Sequence, residues 1–572
     1  MTTQLLSHKI ARGTWRYVGA GAVWIVAGAF NGCGDSTTNA QRSGTAQTTG
    51  GNAGSSGRGS GGAGSSGTTT GATTGSATGA GGVTGGSASG AGGTTGGSGA
   101  GGTTGGNVGG AGGTTGGNAV GASGAAGAGA GVCKPASALS AKKAIRPQQA
   151  GPFHAAVDKF FNSTDPFIQT TILPNIDKNR KSDVTVKVVT ADGRAAAGYQ
   201  VTAILANPDF KWGASPPKPS VGAESAVPPM EEQLWGEMYN YAIPQYTTKW
   251  SNIEQVQGTY DYTSPDALLA IFTRNGVQME QHFLTGYHPD WLLPLADAAK
   301  APLQEAFAMD ILARYKDKIQ FWQVYNEDFK THIALGKIYV NVTQFFQKVT
   351  TMYPDLKFGI NDCWQFNEPG GLPTPASIKT QFPGIHYLGI HTHMPRRLWA
   401  SPQQIYQTFD PYTNSGVFLH MTEFGIIKVE AGDATIQGGA RTGLWTDDLL
   451  AEYFVQTLAT AFSHPAVEAF NYFGVGPDVN RYTGNNLFLD GGILTPAYHA
   501  LRSLLVDKLR TLAEGPTDAN GQLKYRGFQG EYEATVKTPT GTTAVGRFYV
   551  KPGGPQEFTL RVTEGNQDLC AP

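Results

Sequence analysis

Two glutamates close short apolar runs that read as buried strands. Glu327 ends the run Trp322, Gln323, Val324, Tyr325, Asn326, Glu327, and Glu423 follows Leu419, His420, Met421 and Thr422. A carboxyl group at the C-terminal tip of a parallel strand stands where barrel folds place their chemistry. Two of them facing each other across a barrel mouth are equipped to cut a glycosidic bond, one as nucleophile and one as proton donor. Cleavage with retention needs the two roughly 5 to 5.5 Å apart. Burial and the partner's charge keep the acid protonated, while hydrogen bonds keep the nucleophile ionised. His393, at the end of a later apolar run, is placed to give Glu423 such a bond, and Asn326 to hold a sugar hydroxyl. Asn-Glu and Thr-Glu are common dipeptides, so the elements around them decide.

From about residue 209 to 514 short apolar runs alternate with helical stretches, as a parallel α/β fold requires. Strands are predicted at Phe210–Ala214, Met238–Ile243, Val277–Leu284, Ile319–Tyr325, Leu356–Asn361, Tyr387–His393, Val417–Thr422 and Ala469–Gly474. Eight strands with crossover helices over this length predict a closed (β/α)₈ TIM barrel, with Glu327 at the tip of the fourth strand and Glu423 at the tip of the seventh. Thr446 before Asp447 and Asp448 is a helix start, and Leu450, Phe454, Leu458 and Phe462 share one face. Pro496 opens the last helix. Ahead of the barrel, residues 133–208 read as an N-terminal β segment. In it Val184, Val186 and Val188, a turn at Asp192 and Gly193, and Val201, Ala203 and Leu205 suggest a hairpin. Behind the barrel, residues 515–572 read as a small C-terminal β module, in which Tyr532, Ala534 and Val536 alternate and Thr540-Gly541 marks a turn.

The first quarter of the chain cannot supply a core. Residues 41–132 hold 38 of the 79 glycines, with no aromatic residue and only Arg42 and Arg58 charged. Such a segment buries too little apolar surface to offset its ordering entropy, so residues 33–132 are expected to be a disordered Gly/Thr/Ser linker. Before it, Lys9, Arg12 and Arg16 precede an apolar run from Tyr17 to Phe30 that reads as an export signal over residues 1–32. The signal stops at Asn31-Gly32-Cys33, similar to a bacterial lipoprotein cleavage site, which makes Cys33 the lipidation candidate, with ordinary cleavage as the alternative. Cys133 and Cys570 flank the globular part and are the disulfide candidate, leaving Cys363 as a buried thiol. A net charge of −1 gives no support for nucleic acid as a partner, and no cysteine or histidine spacing resembles a metal site. No metal and no cofactor are expected, and the chain is expected to act as an exported monomer, anchored or secreted.

Several further motifs are strung along the barrel around the glutamates. Lys249-Trp250, Glu254, Gly258, Tyr260 and Tyr262 surround the second strand, and Gln281-His282 through Trp291-Leu292 follow the third. Asn361-Asp362, Gly389 to His393, Ser463 to Glu468 and Pro496-Ala497-Tyr498 come later. Together they resemble glycoside hydrolase family 10, the endo-1,4-β-xylanases. The run from Trp322 to Glu327 is similar to the family's Trp-Asp-Val-Val-Asn-Glu. The flanks at Arg180 to Val189 and Gly521 to Tyr532 resemble the larger, plant-like branch. The resemblance implies Glu327 as acid/base, Glu423 as nucleophile, and Lys249, Trp250, His282, His391 and Phe473 as substrate contacts, with xylan or a related polysaccharide as substrate.

The chain departs from the family where that sugar is held. Gln245-Tyr246 stands for Glu-Asn, Gly286-Tyr287 for Trp-His, His391 for a glutamine and Phe473-Gly474 for Trp-Gly. Tyr246, Trp291 and Trp364 are further aromatic candidates for stacking on pyranose rings. Retaining hydrolysis is therefore better supported than xylan as its target. Action on another β-glycan, transglycosylation, and carbohydrate binding by a degenerate barrel stay open as alternatives.

Overall fold

The computed structural model describes residues 129–130, 140–148, 154–216, 229–327, 338–364, 366, 371–392, 400–425, 446–473, 475, 486–489 and 492–562. Residues Ser36–Gly124 make a unit of their own that lies wholly outside these, as do the export signal, Cys33, Cys133 and Cys570.

Eight parallel strands close into a barrel: Lys211–Ala214, Tyr241–Ala242, Gln278–Gln281, Phe321–Asn326, Lys357–Asp362, Tyr387–Ile390, Phe418–Phe424 and Val467–Tyr472. They follow in chain order, and the eighth pairs back onto the first, Ala469 opposite Lys211 and Tyr472 opposite Ala214. Each overlaps its predicted run. The fourth strand is buried at all six positions, as expected of a strand covered by helices on one side and barrel interior on the other.

The helix Asp447–Ser463 starts where its cap predicts, with the Thr446 hydroxyl accepting from Leu449 N–H at 3.3 Å. Leu450, Phe454, Leu458 and Phe462 are all buried, each contributing about 1.5 to 3 kcal/mol by leaving water. Inside the barrel a separate cluster of Tyr241, Ile243, Phe321, Tyr387 and Ala469 fills the bore. Gly359 makes that filling feasible, because a Cβ there would lie 2.4 Å from the Tyr387 ring.

The flanking strands correct two expectations. Lys181–Thr190 and Gln200–Pro208 do not pair as a hairpin. The first joins a sheet with Gln522–Phe528 and Gln556–Val562, the second a sheet with Leu512–Pro516, Gly530–Lys537 and Thr543–Val550. The turn between them is tight, with Gly193 at φ 83°. The chain doubles back only briefly, Val189 bridging antiparallel to Ala195, before it crosses to the other sheet. The N-terminal segment and the C-terminal module are thus one two-sheet body built from both ends of the chain. Its core is aromatic, Tyr532 stacking on Phe548 with centroids 5.3 Å apart and Phe548 packing on Phe558 at 4.5 Å.

Cys363 also differs from expectation. It is half-buried just past the fifth barrel strand and disulfide-bonded, not a buried thiol, and its partner lies outside the described residues. Among the described residues no helix is long and apolar enough to cross a membrane.

Candidate active site

The fourth and seventh strands deliver the two glutamates to the same mouth. One carboxylate oxygen of Glu327, one of Glu423 and a ring nitrogen of His391 all lie within 4.8 Å of one another. Glu423 is 5% exposed and Glu327 half-buried. Glu327 sits at φ 62°, a left-handed conformation that costs a non-glycine residue about 1 to 3 kcal/mol and is concentrated at functional sites. Its N–H donates to Asn361 O at 3.1 Å, which holds the bend in place. Tyr287 at φ 44° and Thr392 at φ 52° are bent likewise past the third and sixth strands.

Glu423 is held by one residue just past the sixth strand and one on the fifth. His391 Nε2 lies 3.1 Å from its Oε1, and Asn361 Nδ2 donates to the same oxygen at 3.2 Å. Asn361 is fixed in turn, its Oδ1 accepting from the Thr422 hydroxyl at 2.5 Å and its Nδ2 donating to Asn326 Oδ1 at 2.5 Å. Gly389 leaves the room, since a Cβ there would lie 2.4 Å from Asn361 Oδ1. His391 Nε2 also reaches Asn326 Oδ1 at 2.8 Å. The support role expected of His393 falls on a residue outside the described ones. His391, expected to touch substrate, lies against Glu423. Asn361 was visible in the sequence as part of a strand-end motif, but nothing local assigned it to Glu423.

A third group of side chains borders the pair. His282 Nε2 stands 4.0 Å from Glu423 Oε1. Burial lowers the His282 pKa, with Glu423 pulling the other way, so the ring is neutral. Lys249 is 7% exposed, its Nζ lying 3.5 Å from the Tyr287 ring centroid and 5.0 Å from that of Tyr246. Burial raises the pKa of both tyrosines, and the charges of Glu327 and Glu423 raise it further, which places both rings beside the acidic pair. Phe473 is half-buried past the eighth strand, its N–H donating to Phe424 O at 2.8 Å.

Trp250 is a correction. It is 1% exposed, stacks on Phe307 at 5.3 Å and bonds through its indole N–H to Glu254 at 2.6 Å, so it offers no face to a sugar. Glu254 also accepts from Gly258 N–H, and its carbonyl takes the Trp291 indole at 2.8 Å. The Lys-Trp motif and its downstream Glu and Gly are a brace that sets the backbone of Lys249.

Residues 219–476 cover most of the barrel and both glutamates, and they match the family model described as glycosyl hydrolase family 10. That stretch of the chain is similar to glycoside hydrolase family 10. Two curated relatives match a larger share of the chain. The anti-sigma-I factor RsgI6 of Acetivibrio thermocellus is 22% identical over 66% of this chain and 49% of its own length. Endo-1,4-beta-xylanase 1 of Arabidopsis thaliana is 21% identical over 65% of this chain and 38% of its own. The chain thus spans half or less of the length of these relatives. Among solved structures, xylanase 10B from Thermotoga maritima aligns with 52% of this chain and 95% of its own at 16% identity and a TM-score of 0.43.

Against the family-10 pattern, the departures fall on residues now placed. His391, where the family has glutamine, lies 3.1 Å from Glu423, and Tyr246 and Tyr287 close around Lys249. The substitution at His391 also turns the catalytic pair into a set of two carboxylates and an imidazole. By donor type those three could hold a divalent cation.

Proposed function

We propose that this chain is an exported retaining glycosidase that cleaves β-1,4-linked xylan or a related hemicellulose within the polymer. The observation that carries the reading is the closeness of Glu327 and Glu423, one oxygen of each lying within 4.8 Å of the other, which suits a double displacement better than the roughly 6.5 to 9.5 Å spacing of an inverting pair. Glu423, held by His391 and Asn361, attacks the anomeric carbon as Glu327 gives its proton to the departing oxygen. The glycosyl ester on Glu423 is then released by water, whose proton returns to Glu327. The N-terminal basic and apolar run supports export, and Cys33 is the proposed lipid attachment point on the cell envelope.

Reducing-sugar release from xylans, mixed-linkage glucan and mannan tests the reading. Activity is expected on at least one. Glu327→Ala should cost roughly 10² to 10⁴ in rate on poor leaving groups and much less on activated aryl glycosides. A uniform loss across leaving groups would count against its role.

A second reading is a surface carbohydrate-binding protein on a barrel that has stopped turning over. The relative bearing a regulator's name and the rebuilt sugar contacts favour it. Polysaccharide binding that survives Glu423→Gln, with no hydrolysis by the native chain, would establish it over the enzyme.

A further inference from the structure

A line of buried hydrogen bonds runs down the bore of the barrel beneath His282. His282 Nδ1 lies 2.8 Å from Gln323 Oε1, and Gln323 Nε2 donates to Glu280 Oε1. The other Glu280 oxygen accepts from the Tyr241 hydroxyl and faces His420 Nδ1 at 3.2 Å. Tyr241, Glu280, Gln323 and His420 are all 0% exposed, so no water can substitute for a missing partner.

The direction of each bond can be worked out. Burial and then the charge of Glu280 push the Tyr241 phenol well above its ordinary pKa, so it donates. A carboxylate surrounded by donors accepts from all of them. Gln323 must therefore turn its NH₂ toward Glu280 and its carbonyl toward His282. A carbonyl only accepts, so the proton on His282 is at Nδ1. A neutral ring protonated at Nδ1 leaves Nε2 bare, and that atom stands beside the nucleophile. At position 323 the family run has an aspartate, which could fix the ring by itself. An amide can face either way and needs a second group to choose.

We propose that Glu280 is a positioning residue that fixes the tautomer of His282 through Gln323, so that His282 Nε2 meets the sugar as a hydrogen-bond acceptor next to Glu423. Its consequence for catalysis rests on the glycosidase reading; the tautomer itself does not. Glu280 touches no substrate.

Histidine-selective nitrogen NMR on the full chain reads the tautomer without substrate, the His282 signal being assigned by its loss in His282→Asn. The native chain should show a protonated Nδ1 and a bare Nε2. In Glu280→Gln the new amide can donate to Gln323 Oε1, Gln323 turns over, and the proton moves to Nε2. Gln323→Met cuts the link and should populate both forms. In both variants kcat/KM on a xylo-oligosaccharide should fall about 10- to 100-fold, the size of one misdirected buried hydrogen bond. The penalty should vanish on a substrate whose hydroxyl facing His282 is replaced by hydrogen. A native ring protonated at Nε2, or Nδ1 protonation retained in both variants, overturns the proposal. If Glu280→Gln fails to fold by circular dichroism, Gln323→Met decides alone. If the native chain hydrolyses no β-glycan while the nitrogen signals move as expected, the glycosidase reading falls and the tautomer assignment stands.

Discussion

The mouth and the floor of the barrel use the same residue type in opposite ways. At the floor one carboxylate, Glu468, is surrounded by cations and donors: Lys211 Nζ at 3.0 Å, Lys357 Nζ at 3.4 Å, His386 Nε2 at 2.9 Å and His420 Nε2 at 3.2 Å. Burial pushes its pKa up, yet Lys211, His386 and His420 together hold it well below the usual carboxylate range. At the mouth two carboxylates share one small space, and Glu423 is held by an imidazole and an amide. Neutralised and saturated, the floor glutamate is a fastener. Crowded by a second carboxyl group, the mouth pair suits the proton exchange and bond formation proposed for it.

The largest effect expected to separate these regions is on turnover. Glu423→Ala should lower kcat roughly 10⁴- to 10⁶-fold. Its melting temperature should hold or rise, because a buried carboxylate no longer has to be kept ionised beside a second carboxyl group. A variant both inactive and strongly destabilised would show that the mouth is a structural cluster like the floor.

Glu468→Gln should do the reverse. Breaking a buried ion cluster by removing one member costs about 3 to 5 kcal/mol of stability, read by denaturant unfolding, while the folded fraction still turns over. Loss of activity without loss of stability would collapse the distinction.

Acid should loosen the floor and the helix-side contacts next. Glu468, with its lowered pKa, contributes stability above the unfolded carboxylate value and loses it as pH falls through the folded one. Burial lowers His464 to about 4 and lowers His386, so the unfolded chain binds protons that the folded one refuses. Melting temperature should therefore fall steadily from near neutral pH toward pH 4, the His464 share reaching roughly 3 kcal/mol. A flat profile over that window would contradict these burials.

The smallest effect tests the rebuilt sugar contacts. Tyr287→Ala removes the ring nearest Lys249 Nζ, a contact of about 0.5 to 2 kcal/mol. KM should rise severalfold with kcat little changed. A kcat loss as large as that of Glu327→Ala would make Tyr287 part of the chemistry.

Much of the barrel was legible because its signals are local. Apolar runs such as Phe321–Asn326 and Phe418–Phe424 announce buried strands, and a cap such as Thr446 announces a helix. The pair Glu327 and Glu423 could be placed by counting strands. Trp250 could not be placed, because an aromatic beside a strand-end lysine looks the same whether it faces a groove or Phe307. His391 and His393 share a motif two residues apart, and the sequence reading gave support of Glu423 to His393, which lies outside the described residues, and a sugar contact to His391. The bend at Thr392, φ 52°, breaks the simple alternation on which such a choice relies.

The sequence by itself determined the order of strands and the two glutamates at the tips of the fourth and seventh. Those follow from periodicity and spacing, which each segment carries alone, whereas the division of labour between the glutamates is what the resemblance implies. The tertiary structure decided what surrounds them. It set Asn361 and His391 on Glu423, a tyrosine pair around Lys249, Trp250 in the core, and strands from both chain ends in shared sheets. These depend on register between strands and on the direction in which each side chain leaves a bent backbone. Residues far apart in the chain fix both together.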